Sequence, residues 1–178
     1  MGPKEYRKQC WISEKVEERD SPVHGLGLFA KSAIAAEEVV IVWGGEFVGE
    51  AGAQKAKDTG KVIQQIAENL WDVFDYETRN DDASCNHNHS CDSNTWMLDE
   101  VTIAARRDIA PDEELTIDYA LFLIDDAWVM PGECHCRSPL CRHRITGLDW
   151  QRRDLQERYG NHFSPFILTR INAYEAAG

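Results

Sequence analysis

The chain has 178 residues, with 19 Lys and Arg against 31 Asp and Glu, a net charge of -12, and is 43% hydrophobic with 12 Gly and 6 Pro. At roughly 150 residues per domain this is one domain with a small appendage, and the composition excludes collagen-like, low-complexity and strongly disordered chains. The negative charge repels phosphate backbones, so general nucleic-acid binding would need a local basic stripe; Lys- and Arg-rich partners suit it better.

Residues 1–21 are polar without a clear period and read as an N-terminal lead-in. The run Val39-Val40-Ile41-Val42-Trp43, stopped by Gly44-Gly45, has the β-branched density of a buried strand. Ala51–Asp58 suits a short helix. Val62-Ile63 with Ile66, Leu70–Phe74, Thr95–Leu98, Val101–Ala105 and Glu114–Ala120 read as further strands. The end of the chain changes character. Asp149 can cap a helix that Gly160 terminates, and Ser164-Pro165 is a cap and first-turn pair for another. In that last helix Ile167, Leu168, Ile171 and Tyr174 share one apolar face expected to dock on the core.

No window approaches 18 uncharged apolar residues, and the N-terminus lacks a signal-peptide core. The expectation is a cytoplasmic protein, nuclear if the source is eukaryotic, without membrane or direct nucleic-acid contact. In such a compartment thiols stay reduced, so clustered cysteines are better read as metal ligands than as disulfides. Cys134, Cys136 and Cys141 form C-x-C-x4-C, with Gly132 ahead and Pro139 inside, as in a tight loop around one ion. Zinc fits thiolates and closed four-ligand sites. Cys91 is the best candidate for the fourth ligand, with Cys10, Cys85 and nearby histidines as competitors between which spacing alone does not choose.

Gly25-Leu26-Gly27-Leu28-Phe29-Ala30 matches the dinucleotide fingerprint G-x-G-x-x-A. Its context does not: Pro22 interrupts the preceding segment and no strand–helix succession follows. The glycines are better read as a turn, or as backbone passing close to a ligand. Asn88-His89-Ser90-Cys91 places an amide, an imidazole and a thiol within four positions, and Glu113–Tyr119 ends an acidic turn in a tyrosine.

In order, Gly25–Ala30, Trp43-Gly44-Gly45-Glu46, Asn88-His89-Ser90-Cys91, Glu113–Tyr119 and Cys134–Arg142 resemble a SET-domain protein lysine methyltransferase with a post-SET zinc loop, over about residues 22–145. The tail resembles the C-terminal helices of small bacterial-type SET proteins. The resemblance implies a mainly β fold of small sheets with short helices, in which the Asn88–Cys91 segment passes under the chain before Tyr119 as a pseudoknot. It divides the chain into lead-in 1–21, SET domain 22–125, post-SET region 126–145 and helical extension 146–178.

It further implies S-adenosylmethionine held by Gly25, Leu26 and Gly27 through backbone and by Asn88 and His89, with Tyr119 as the catalytic residue. Structural zinc would be held by Cys91, Cys134, Cys136 and Cys141. The implied substrate is a lysine in a basic protein or peptide, histone-like or ribosomal. Trp43, Phe122 and Trp128 are candidate walls of the lysine channel, and core packing is the alternative for each. Acidic clusters (Asp72, Asp75, Glu77, Asp81 and Asp82; Asp125-Asp126) would steer a basic segment.

Three positions depart from the family pattern. Cys85-Asn86-His87 stands where Arg-Phe-hydrophobic is usual, which makes Cys85 and His87 possible extra ligands. Trp43 replaces a tyrosine. Ile117 occupies a position often Phe or Tyr, and its smaller side chain would leave room for di- or trimethylation. The rivals are an inactive zinc- and cofactor-binding module acting in protein interaction, and a Rossmann oxidoreductase, which leaves the cysteines unexplained.

Overall fold

The computed structural model describes residues 4–75 and 82–177. The β-branched run forms strand β4 (Val39–Val42), at the centre of a sheet ordered β1-β4-β9-β8 with β1 (Trp11–Ile12), β8 (Thr95–Met97) and β9 (Thr102–Ala105). Val40, Ile41, Ile103, Ala104 and Ala105 are buried, and the register places Ile41 opposite Ile103. Cross-strand pairs of this kind are what hold antiparallel strands in register.

A second sheet, β10-β3-β2, joins β3 (Leu26–Ala30) to β2 (Val16–Asp20) and β10 (Glu114–Leu115). The glycine motif therefore continues into a strand, buried from Gly27 to Ala30. β2, with the sequence VEERD, buries Val16 and keeps Glu17, Glu18 and Asp20 exposed, as a charged edge strand does. The stretch without a clear period thus contributes two strands, β1 and β2, each drawn in by a neighbour rather than by its own pattern. The third sheet is β5-β7-β6, from β5 (Glu46–Val48), β7 (Leu70–Phe74) and β6 (Val62–Ala67). Helix α1 (Glu50–Asp58) packs on it through Ala53 and Ala56, with Glu50 in its first turn and Lys55 and Lys57 in its last, where the helix dipole favours them.

Glu114–Ala120 was expected as one strand, and only its first two residues are strand. Ile117 donates its N–H to the Asn88 carbonyl (3.0 Å) and accepts from Ser90 N–H (3.2 Å), so His89 and Ile117 pair in parallel. Asn94 completes the clamp, its side chain bonding the Glu114 carbonyl and the Thr116 N–H (2.8 Å each). After this crossing Asp118 caps a 3-10 turn, Tyr119–Leu121, by accepting from Ala120 N–H. The Asn94 side chain takes the Glu114 carbonyl and Thr116 N–H that a longer ladder would use, and the strand stops at Leu115.

At the C-terminus a 3-10 turn, Asp149–Gln151, precedes helix α2 (Arg153–Tyr159), which Gly160 ends with φ 52°. Asp149 does not cap α2; its carboxylate faces Arg142. Helix α3 (Pro165–Ala177) buries Ile167 and Ile171 against the core, while Tyr174 is 66% exposed and lies off the docking face. Among the described residues no helix is long and apolar enough to cross a membrane.

Candidate active site

The sequence places Gly25 at a left-handed φ of 49°, where a side chain would be strained, with nothing within 4 Å of the position a Cβ would take. At Gly27 a Cβ would overlap the Glu114 carboxylate and lie 3.1 Å from Asn88 Nδ2. The Asn88 amide lies within hydrogen-bond distance of the His24 carbonyl (3.1 Å), the Leu26 carbonyl (2.9 Å) and Glu114 Oε1 (2.8 Å). Asn88 therefore ties the glycine loop to β10. A cleft of about 570 Å³ runs between Pro22 and Val23, just ahead of this loop, and Cys134, His135, Arg137 and His143.

His89 is buried, and burial pushes its pKa down to about 4, with Asp118 opposing the shift and Arg142 adding to it. Its Nδ1 accepts the backbone N–H of Tyr119 (3.2 Å), which leaves the proton on Nε2, 3.3 Å from Cys91 Sγ. The hydrogen-bond network thus assigns one neutral tautomer.

The four sulfurs of Cys91, Cys134, Cys136 and Cys141 lie within 4.8 Å of one another, and Cys91 and Cys134 are buried. A tetrahedral zinc with Zn–S of about 2.3 Å needs sulfurs about 3.8 Å apart, and Cys91 and Cys134 are 4.0 Å apart. Burial pushes the Cys91 thiol up, and the Cys134 thiol up to about 12, so thiolates at these two positions require a compensating cation, while burial at Cys136 is outweighed by hydrogen bonds within the cluster, which bring its thiol down to about 7. Tertiary structure brings Cys91 to the three loop cysteines, so these four sulfurs are the group that could hold an ion. Three competitors lie elsewhere: Cys10 bonds the backbone of Gly44, exposed Cys85 lines a different pocket, and His87 Nε2 lies 3.1 Å from Thr95 Oγ1.

Tyr119 lines a pocket of about 200 Å³ with Trp43, Phe122 and Trp128. Its ring meets His89 at 5.0 Å, Phe122 at 5.6 Å and Trp128 at 6.0 Å between centroids, all tilted edge-to-face, and Trp43 meets Phe122 at 5.0 Å. Burial, with Cys134 adding to it, pushes the phenol up to about 12, so it is neutral at physiological pH. The three candidate wall residues therefore come together on Tyr119. Gln64, Phe74, Ser84 and Cys85 also line this pocket; no spacing signal connected them, because they arrive from three separate segments. Of the acidic cluster, Asp72 is buried and Asp75 exposed, while Glu77 and Asp81 lie outside the described residues.

Sequence reasoning missed the ion cluster beneath this turn. Asp118 is completely buried and takes a two-pronged bond from Arg142, at 2.6 and 2.7 Å. Burial works against the Arg142 charge, and the Asp118 carboxylate outweighs it, moving the pKa up. Nothing in the spacing of Asp118 and Arg142 signals a pair.

Residues 25–120 match the SET domain family model, and the chain belongs to that family. Among relatives, the histone-lysine N-methyltransferase ATX2 of Arabidopsis thaliana is 31% identical over 145 residues, covering 75% of this chain and 13% of that protein. Human histone-lysine N-methyltransferase SETD1A is 31% identical over 141 residues, covering 71% of this chain and 8% of its own length. The chain thus spans a small part of the relatives it matches. The methyltransferase domain of human histone-lysine N-methyltransferase SETMAR superposes with a TM-score of 0.53 at 19% identity, over 72% of this chain and 56% of that one, which is a likeness of fold.

Proposed function

We propose that this chain transfers methyl groups from S-adenosylmethionine to the ε-amine of a lysine in a basic protein segment. The observation that carries the reading is the position of Tyr119. It is held by backbone to His89, beside the glycine loop, and presents its ring to a narrow aromatic pocket. The relatives' names make histone tails the first substrates to test.

The residues present fit the cofactor. Gly25 leaves its backbone open to a ligand, Gly27 lets Glu114 and Asn88 pack against the loop, Leu26 offers an apolar surface 42% exposed, and Asn88 fixes the loop. S-adenosylmethionine, when bound, supplies a methyl group on a sulfonium. Alignment and a neutral amine are left to the protein. A lysine of pKa near 10.4 is about 3.4 units from neutrality at pH 7, roughly 4.6 kcal/mol. Trp43, Phe122 and Trp128 surround the amine with apolar surface, which disfavours the ammonium and removes part of that barrier. Tyr119, neutral and with its phenol raised, acts as an oriented dipole rather than as a general base. Cys91, Cys134, Cys136 and Cys141 would hold zinc, tying the loop that borders the cleft to the Asn88–Cys91 segment.

Ile117 packs in the main core and does not line the Tyr119 pocket, so it takes up no room beside the amine and products beyond monomethyl-lysine are expected. A purely monomethylated product would count against that extension. The reading itself is tested by transfer of labelled methyl to histones and other basic proteins, with mass spectrometry to locate the product. Methyl-lysine made by the wild type and lost in Tyr119→Phe supports it. Silence of a zinc-loaded, cofactor-binding wild type on every substrate would favour the binding module, and failure to bind the cofactor would remove the reading.

A further inference from the structure

Asp118 precedes Tyr119, and every contact of its buried carboxylate comes from another part of the chain or from the turn that carries Tyr119. Oδ1 accepts from Ala120 N–H (3.1 Å) and Arg142 Nη2 (2.7 Å); Oδ2 accepts from Arg142 Nη1 (2.6 Å) and the Tyr159 hydroxyl (3.2 Å). Arg142 is itself gripped from behind, its Nε donating to Asp149 Oδ2 at 3.0 Å, while Asp149 Oδ1 accepts from Thr146 Oγ1 at 2.8 Å. Tyr159 stands at the end of α2, and Asp149 in the turn before it, so both belong to the extension that follows the cysteine loop.

We propose that Arg142, Asp149 and Tyr159 are positioning residues for Tyr119, so that the C-terminal extension is a working part of the catalytic unit. The proposal rests on the methyltransferase reading above. Two physical points carry it. First, a buried ion pair contributes little net stability compared with apolar residues of the same volume, because desolvation offsets the attraction. Its distinctive contribution is geometry, and an arginine fork constrains a carboxylate in both direction and plane. Second, the constraint lands on the peptide units flanking Tyr119. Asp118 caps its turn through Ala120 N–H, and His89 holds Tyr119 N–H. With both neighbours fixed, the Tyr119 ring has little freedom to leave the pocket. The same cluster reaches the metal side, since Arg142 N–H points at Cys91 Sγ (3.3 Å) and Arg158 donates to the Cys91 carbonyl (2.7 Å).

Displacement of a reacting group by about an ångström costs on the order of a hundredfold in rate, so partial loosening should cost about tenfold. The test uses the full zinc-loaded chain with Tyr159→Phe, which keeps shape and removes the hydroxyl contacts to Asp118 (3.2 Å) and Ser93 (3.3 Å), and Asp149→Asn, which removes one charge. Three quantities are measured: kcat and KM separately, thermal midpoint, and amide hydrogen exchange along the chain. The expected result is kcat lower by about tenfold in Tyr159→Phe, with KM for cofactor and peptide within about twofold. Faster exchange should be confined to the Asp118–Leu121 turn while β4 and β9 stay protected. Arg142→Lys keeps the charge without the fork and should fail to restore kcat.

An unchanged kcat with unchanged exchange at Tyr119 would overturn the proposal. So would a loss of kcat that merely tracks the folded fraction, with exchange rising evenly over the chain. Should Tyr159→Phe not fold, Asp149→Asn decides by the same measures. A wild type that methylates nothing defeats the methyltransferase reading instead, and local exchange in the two variants still judges the positioning claim.

Discussion

The backbone N–H of Tyr119 donates to Nδ1 of His89 at 3.2 Å, and that bond joins the two sides of the site. An imidazole that accepts there must carry its proton on Nε2, toward Cys91, and must stay neutral to accept at all. Burial, which pushes the His89 pKa down to about 4, secures this. One ring thereby touches the catalytic candidate, the cysteine cluster and the segment under the glycine loop.

The glycine loop should be sensitive in binding but tolerant in folding. In Gly27→Ala the new methyl meets the Glu114 carboxylate, the movable end of a long side chain, and crowds Asn88. Stability is expected to fall by about 1 kcal/mol, the low end for overpacking. Cofactor affinity, read by titration calorimetry, should weaken more than tenfold, a loss of about 1.4 kcal/mol or more. Unaltered affinity would show that Asn88 and Gly27 do not form the cofactor cradle.

Elemental analysis should find one zinc per chain. Cys10→Ser and Cys85→Ser should leave that stoichiometry alone, since Cys10 bonds Gly44 and Cys85 lies at the other pocket. Cys141→Ser should lower zinc retention against a chelator and depress the thermal midpoint, because the metal's binding energy is also folding energy. Equal retention in all three variants would contradict a four-cysteine site.

Acid should act through His87. Burial pushes its pKa down to about 3, and its Nδ1 has no hydrogen-bond partner among the described residues. Unfolded, it titrates near 6.5. Between these values the unfolded chain binds a proton that the folded chain refuses. The stability that depends on neutral His87 is therefore complete above about 6.5 and is lost progressively as pH falls toward 3. In urea melts the wild type should lose stability faster than His87→Leu across this window, by about 1.4 kcal/mol per pH unit. Parallel pH profiles would rule this out.

Phe122 separates peptide from cofactor effects. Phe122→Ala removes ring contacts to Trp43 and Tyr119 and widens the pocket. Catalytic efficiency on a lysine peptide should drop about tenfold, as expected when a positioned group loses its support, with cofactor affinity unchanged. An equal loss of cofactor affinity would place Phe122 on the wrong side of Tyr119.

Much of this site is local in sequence and could be read there. Val39–Val42 becomes a central strand because β-branched residues suit a pleated, buried surface, and C-x-C-x4-C forms a loop that could hold a metal because three thiols lie within eight positions. Gly25 holds a left-handed φ, and at Gly27 a Cβ would run into the Glu114 carboxylate. Position in sequence could not say that VEERD would be a strand, since its ladder partner β3 supplies the reason. Nor could it separate Cys91 from Cys10 and Cys85, because the choice depends on which thiol arrives beside the loop.

The residue types and their order determined the chemistry available to this protein: four thiols for a metal, an amide and an imidazole beside a glycine loop, and a tyrosine after an acidic turn. Tertiary structure alone decided the partners. Asp118, Arg142, Asp149 and Tyr159 are separated by up to 41 positions, and a buried charge leaves no periodic trace in a sequence, since its energy depends on what surrounds it once water is gone. Spacing writes local geometry into the chain, whereas desolvation and long-range contact exist only after the chain has folded.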